Sequence, residues 1–96
     1  MVMELSPLDT VTAVLASLTD VRDPLAVDVG YARVLSADRS PVGLVWARGE
    51  GVDALFSART ARTIAARIVA SCCFPFALAT RFREAADRAD GLRLDA

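Results

Sequence analysis

The apolar residues of this chain change period twice, and that change restricts the fold more than any other feature. Leu8, Val11, Val14, Leu15 and Leu18 recur at helical spacing. From Leu25 the spacing falls to two, with Leu25, Val27, Val29 and Tyr31 alternating with Ala26, Asp28, Gly30 and Ala32. After Ser57 the helical period returns. Period 3.6 marks a one-faced helix and period 2 a half-buried strand. Strands that follow one another with only short turns between them pair as antiparallel hairpins, because parallel pairing needs a long crossover. The expected class is therefore α+β: an N-terminal helix, a three-stranded antiparallel meander and a long C-terminal helical region. The 96 residues leave room for a single domain, 1–96.

Local chemistry sets the expected boundaries. Ser6 is a capping residue, Pro7 suits the first helical position, and Asp9 lies where a capping box wants an acid. Asp23-Pro24 forbids continuation, since a residue before proline avoids the helical region. A helix is predicted over 7–19 and a strand over 25–35. Ser36 to Pro41 is a turn cluster. Val42, Leu44 and Trp46 then share one face of a strand over 42–48, with Gly43, Val45 and Ala47 on the other. Gly49-Glu50-Gly51 makes the next turn before a strand over 52–56.

Ser57 caps the helical region that follows, predicted over 58–73 and 75–90 with Pro75 kinking or breaking it. Ala61, Ile64, Ala65, Ile68 and Cys72 fall in one apolar sector. Carried past Pro75, the same angular count puts Ala79, Phe82, Ala86 and Ala89 back in that sector. The preserved phase favours a bent helical pair, or one kinked helix, over a helical hairpin. Gly91 is the expected end, with 92–96 as a tail.

The composition removes most familiar chemistry. Lys, His, Asn and Gln are absent, and all 11 positive charges are Arg. Without His there is no Ser–His or Cys–His nucleophile pair and no His-ligated zinc. Without Lys there is no Walker-type phosphate loop and no Schiff base. Gly-rich phosphate loops, paired CxxC sites, a Gly-x-Ser-x-Gly turn and a recognition-helix motif are also missing. No catalytic residue, cofactor or metal site is expected. The Arg-only, Ala- and Val-rich composition matches GC-rich codon usage, which points to a bacterium or its phage.

Adjacent Cys72 and Cys73 cannot bridge each other within a helix and read as small buried hydrophobes in a reducing, cytoplasmic setting. Met1-Val2-Met3-Glu4 lacks a basic start and an apolar run, so no signal peptide is expected. The uncharged stretch from Ile68 to Thr80 is 13 residues long, short of the roughly 18–20 a membrane span needs.

Three candidate sites remain. Ser71 to Phe76 is the most unusual segment, and Phe74, Phe76 and Leu78 point in three directions around a helix axis. The chain is 54% hydrophobic with a mean hydropathy of +0.40. That is more apolar surface than a domain of this size readily hides. The first expectation is thus a non-enzymatic protein–protein interaction module: a small accessory protein, regulator or inhibitor that pairs with itself as a homodimer or with a larger protein. Its anchors would be Phe74, Phe76, Leu78 and Phe82, on the C-terminal helical region.

The second site is cationic. Residues 57–96 carry seven Arg and four acids, net +3, against net −4 for the four Arg and eight acids of residues 1–56. Glu84–Arg88 and Arg83–Asp87 are i,i+4 pairs. Arg59, Arg62, Arg67 and Arg81 have no acid four residues away on either side, and they form either a polar rim or a phosphate-contacting face for nucleic acid. The third is a carboxylate group, Asp20, Asp23 and Asp28, for a hard cation in a carboxylate-metal enzyme. Trp46 reads as a core or interface anchor; base stacking would need Tyr31 or Phe56 beside it on an exposed sheet face.

Overall fold

A computed structural model describes residues 7–35, 37–71 and 74–94. Helix α1 spans Pro7–Thr19, strands β1, β2 and β3 span Asp28–Leu35, Pro41–Gly49 and Val52–Ser57, and helices α2 and α3 span Ala58–Ser71 and Phe76–Leu94. The strands form an antiparallel sheet in the order β1-β2-β3. Val11, Val14 and Leu18 of α1 are buried in the common core, as their spacing requires. Ser6, Cys72 and Cys73 lie outside the described residues, and so do the cap and thiol readings placed on them.

The first strand starts later than its alternation suggests. Pro24–Ala26 forms a single 3-10 turn, which Asp23 caps by accepting the Leu25 N–H (3.1 Å). Proline fixes its own φ at a helical value, and the aspartate beside it supplies the acceptor. Leu25 therefore lies outside the sheet. At the other end of the meander, the two-residue loop Glu50-Gly51 joins the closing pair Gly49↔Val52, with Gly51 at a positive φ of 77°.

Ser57 does cap α2. The Thr60 N–H donates to Ser57 Oγ at 3.1 Å. Beyond Ser71 the structure departs from the bent or kinked helix. Arg62 Nη2, in the first half of α2, donates to Asp87 Oδ1 at 2.9 Å and lies 2.6 Å from Asp90 Oδ2, both in the second half of α3. In one continuous helix, Arg62 and Asp90 would stand about 42 Å apart at 1.5 Å per residue. The two helices are an antiparallel hairpin. Pro75 sits outside α3 and lends its carbonyl to the Leu78 N–H (3.1 Å), a helix-start role that needs no N–H of its own. Phase identified the buried residues correctly: Ala61, Ile64, Ala65, Ile68, Ala79, Phe82, Ala86 and Ala89 are all in the core. It carried no information on direction, because both helices turn that sector to one shared core. Gly91 is also no terminus, since α3 continues to Leu94.

The helices cover one face of the sheet, the face of Gly43, Val45 and Ala47 on β2 and Val52 and Phe56 on β3. Phe56 meets Phe82 there with ring centroids 6.0 Å apart. Helix α3 approaches β2 so closely that a Cβ placed on Gly43 would collide with the carbonyl of Ala89. Gly43→Ala should therefore lower stability by about 1–3 kcal/mol, the usual effect of overpacking. A urea midpoint unchanged from the parent would show that the contact is looser than it looks.

Candidate functional site

Among the described residues, no helix lies on the opposite face of the sheet. Register puts Gly30, Ala32 and Val34 of β1 beside Trp46, Leu44 and Val42 of β2, with Leu55 of β3 across from Trp46. Ala32, Val34, Val42, Leu44 and Trp46 are only half-buried, and Leu55 is 56% exposed. Five of these are Val, Leu or Trp in neighbouring positions, which makes the face contiguous rather than a scatter of single apolar side chains. A depression of about 470 Å³ runs over it between Val34, Trp46 and Leu55.

Trp46 is the organising side chain of this face. Its ring lies across Gly30, where any Cβ would collide with it. The indole Nε1 donates to the carbonyl of Tyr31 at 3.3 Å, and Arg48 stands over the ring at 5.7 Å from its centroid. Gly30 thus lets a large ring lie flat on the first strand. Tyr31 and Phe56 pair with Val45, on the helix-covered face. Neither accompanies Trp46, so the arrangement needed for base stacking is not formed.

Charge is confined to the ends of the face. Asp28, Arg48 and Asp53 make one row across the three strands, and Arg48 Nε lies 3.7 Å from Asp53 Oδ1. Both side chains of that pair are largely exposed, a setting in which ion pairs are worth about 0–1 kcal/mol. At the opposite end, the β1–β2 connection carries Asp38 and Arg39, the latter at a positive φ of 66°.

The residues singled out on the C-terminal region divide between core and surface. Leu78 and Phe82 are 0% exposed inside the fold, so neither is a surface anchor; the reversal at Pro75 turns their side of α3 onto α2 and the sheet. Phe74 is half-buried against the core and lines a groove with Leu15, Val21 and Arg67. Phe76, 67% exposed, is the one of the four left in solvent. The spread of Phe74, Phe76 and Leu78 around the axis is resolved by exposing one of them.

The four arginines also separate. Arg62 is held by Asp87 and Asp90, and the hydrogen bonds to those carboxylates, Asp87 first, raise its pKa further. Sequence spacing missed these acids because they lie across the hairpin rather than along the helix. Arg81 Nη1 donates to the carbonyl of Leu25 at 2.6 Å, tying α3 to the 3-10 turn. Arg59 and Arg67 are exposed, and among the described residues neither makes an ion pair. Two of the four are thus engaged within the fold and two are exposed. Asp20, Asp23 and Asp28 form no group able to hold a metal ion, and Asp23 is the cap of the 3-10 turn. Among the described residues no helix is long and apolar enough to cross a membrane.

No family model, curated protein or solved structure matches this chain.

Two substitutions separate surface from core. Phe76→Asp should change the unfolding free energy by less than about 0.5 kcal/mol. Phe82→Asp should abolish folding, because an unpaired buried charge costs about 3–5 kcal/mol. Circular dichroism with urea titration reads both, and a folded Phe82→Asp protein would contradict the placement of Phe82. Gly30→Ala should lift the indole of Trp46 from β1, read as a red shift of tryptophan emission.

Proposed function

We propose that this protein acts by binding another protein surface, and that the open face of its sheet is the part that binds. One observation carries the reading: Val34, Val42, Leu44, Trp46 and Leu55 are contiguous and apolar, and no helix among the described residues covers them. Burying a single Leu side chain contributes about 1.5–3 kcal/mol, so such a face gains substantially from any partner that excludes water from it. A central aromatic and aliphatic cluster with charge only at its margins is the usual anatomy of an interaction surface. The sequence alone points to the C-terminal helical region as the binding site. Burial of Leu78 and Phe82 leaves that region fewer exposed apolar anchors than the sheet face.

The composition supports binding over catalysis through what it lacks in nucleophile activation, with His and Lys both absent. A nucleic-acid role through the arginines has less support, since Arg62 and Arg81 are engaged within the fold.

The test compares three immobilised baits in an extract of the source cells: the parent protein, Leu55→Asp and Phe76→Asp. Both substituted side chains are exposed, so both variants should fold. Proteins held by the parent should be lost from Leu55→Asp and kept by Phe76→Asp. The reverse pattern would return the binding site to the helical hairpin. Retention of nothing by any bait would contradict a binding function.

A further inference from the structure

We propose that the outer edge of β1 is a strand-addition site, and that its occupant is an extended segment of a partner protein with acidic residues at alternate positions. The inference concerns the edge of the sheet and does not rest on the reading of its open face.

Hydrogen-bonding parity leaves this edge open. Gly49 and Val52 flank a two-residue loop, which a hydrogen bond between the flanking residues closes, so they are a hydrogen-bonded pair. Such pairs alternate along a ladder, and Arg48, Trp46, Leu44 and Val42 therefore turn their backbone groups toward β1. Their partners on β1 are Asp28, Gly30, Ala32 and Val34, which leaves Val29, Tyr31, Arg33 and Leu35 with N–H and C=O groups directed outward. Among the described residues, no backbone group outside the sheet bonds to those four. The Tyr31 carbonyl accepts from Trp46 Nε1 and keeps a second lone pair. Before Val29 the edge is closed, because Arg81 Nη1 reaches the Val27 carbonyl at 3.4 Å. The other edge of the sheet differs, since α1 packs beside β3.

A row of alternating donors and acceptors is satisfied along its length by another extended chain, and main-chain bonds rather than buried area then supply the affinity. β1 contains no proline and pairs with β2 without a bulge, so two usual devices that block such addition are missing.

The flanks of the edge specify the chemistry of the occupant. On the helix side stand Arg33 of β1 and Arg81, Glu84 and Arg88 of α3, all exposed, three positive charges to one negative. Among the described residues none of the four makes an ion pair. Asp28, the one acid of β1, occupies its first position and belongs to the open side of the sheet. On that open side the edge presents Gly30 and Ala32, with the Trp46 ring lying across Gly30. A segment that alternates acids toward α3 with apolar residues toward Trp46 is complementary to both flanks. A second β1 is not, because it would bring another Arg33 to a flank that already carries net +2.

Amide hydrogen exchange, followed residue by residue by NMR, tests the site with two octapeptides, one alternating Val and Glu, the other Val and Lys. In the free protein the amides of Val29, Tyr31, Arg33 and Leu35 should exchange faster than those of Gly30, Ala32 and Val34. The Val–Glu peptide at about 1 mM, against a dissociation constant on the order of 100 µM, should slow those four about tenfold. The Val–Lys peptide should leave them unchanged, and Arg33→Glu should weaken Val–Glu binding about two- to fivefold at low salt. Exchange unaltered by either peptide overturns the strand-addition site, and equal slowing by both overturns the acidic occupant. Slowing that follows protein concentration alone assigns the edge to a second copy and overturns the partner segment. Leu55 lies on β3, two strands from this edge, so the capture experiment with Leu55→Asp and the exchange experiment fail independently.

Discussion

The close approach of α3 to β2 governs the rest of the molecule. A glycine at position 43 and an alanine at position 89 allow helix backbone to rest almost directly on strand backbone, with no side chain between them. Once that contact forms, the side of β2 that carries Gly43, Val45 and Ala47 must face inward. Side chains alternate along a strand, so Val42, Leu44 and Trp46 must then face outward. The larger side chains of β2 are outside because the smaller ones are what the inner seam can hold. An apolar face is left over as a direct consequence.

Much of this was legible in the residues. The first helix follows from proline chemistry and spacing and has the expected limits, and the meander follows from alternation broken by short turns. The buried sector of both C-terminal helices follows from angular position alone. What periodicity cannot convey is the direction of a chain after a break. Phase said that Ala61 and Ala86 lie on apolar faces, and it is silent on whether those faces are stacked end to end or laid side by side. The pairing of Arg62 with Asp87 and Asp90 decides that, and it spans more sequence than any spacing rule covers. The choice between the two faces of β2 was illegible for a related reason. Size favours Val42, Leu44 and Trp46 as the core, and only the approach distance of a helix far along the chain reverses that preference.

The same reversal explains where the apolar excess went. On the sequence, apolar residues are dense between Ile68 and Phe82, and the hairpin buries Ile68, Leu78, Ala79 and Phe82 by turning two helices against each other and against the sheet. Phe76 is left exposed on α3, whereas the outer sheet face is exposed as a continuous surface. Trp46 is fitted to that surface rather than merely stranded on it. It lies in the space Gly30 provides, is covered in part by Arg48, and bonds to the carbonyl of Tyr31. A large aromatic side chain held in place in this way can meet a partner at little conformational cost.

Trp46 is the only tryptophan in the chain and lies within the proposed contact, so a single 5-fluorotryptophan label reports on that contact. Its fluorine resonance is recorded for the protein alone and after addition of the proteins that the parent bait retains. The resonance should shift or broaden on that addition, and the same addition should leave it unchanged in Leu55→Asp. A resonance that the retained proteins leave unaltered in the parent would contradict binding through the open face.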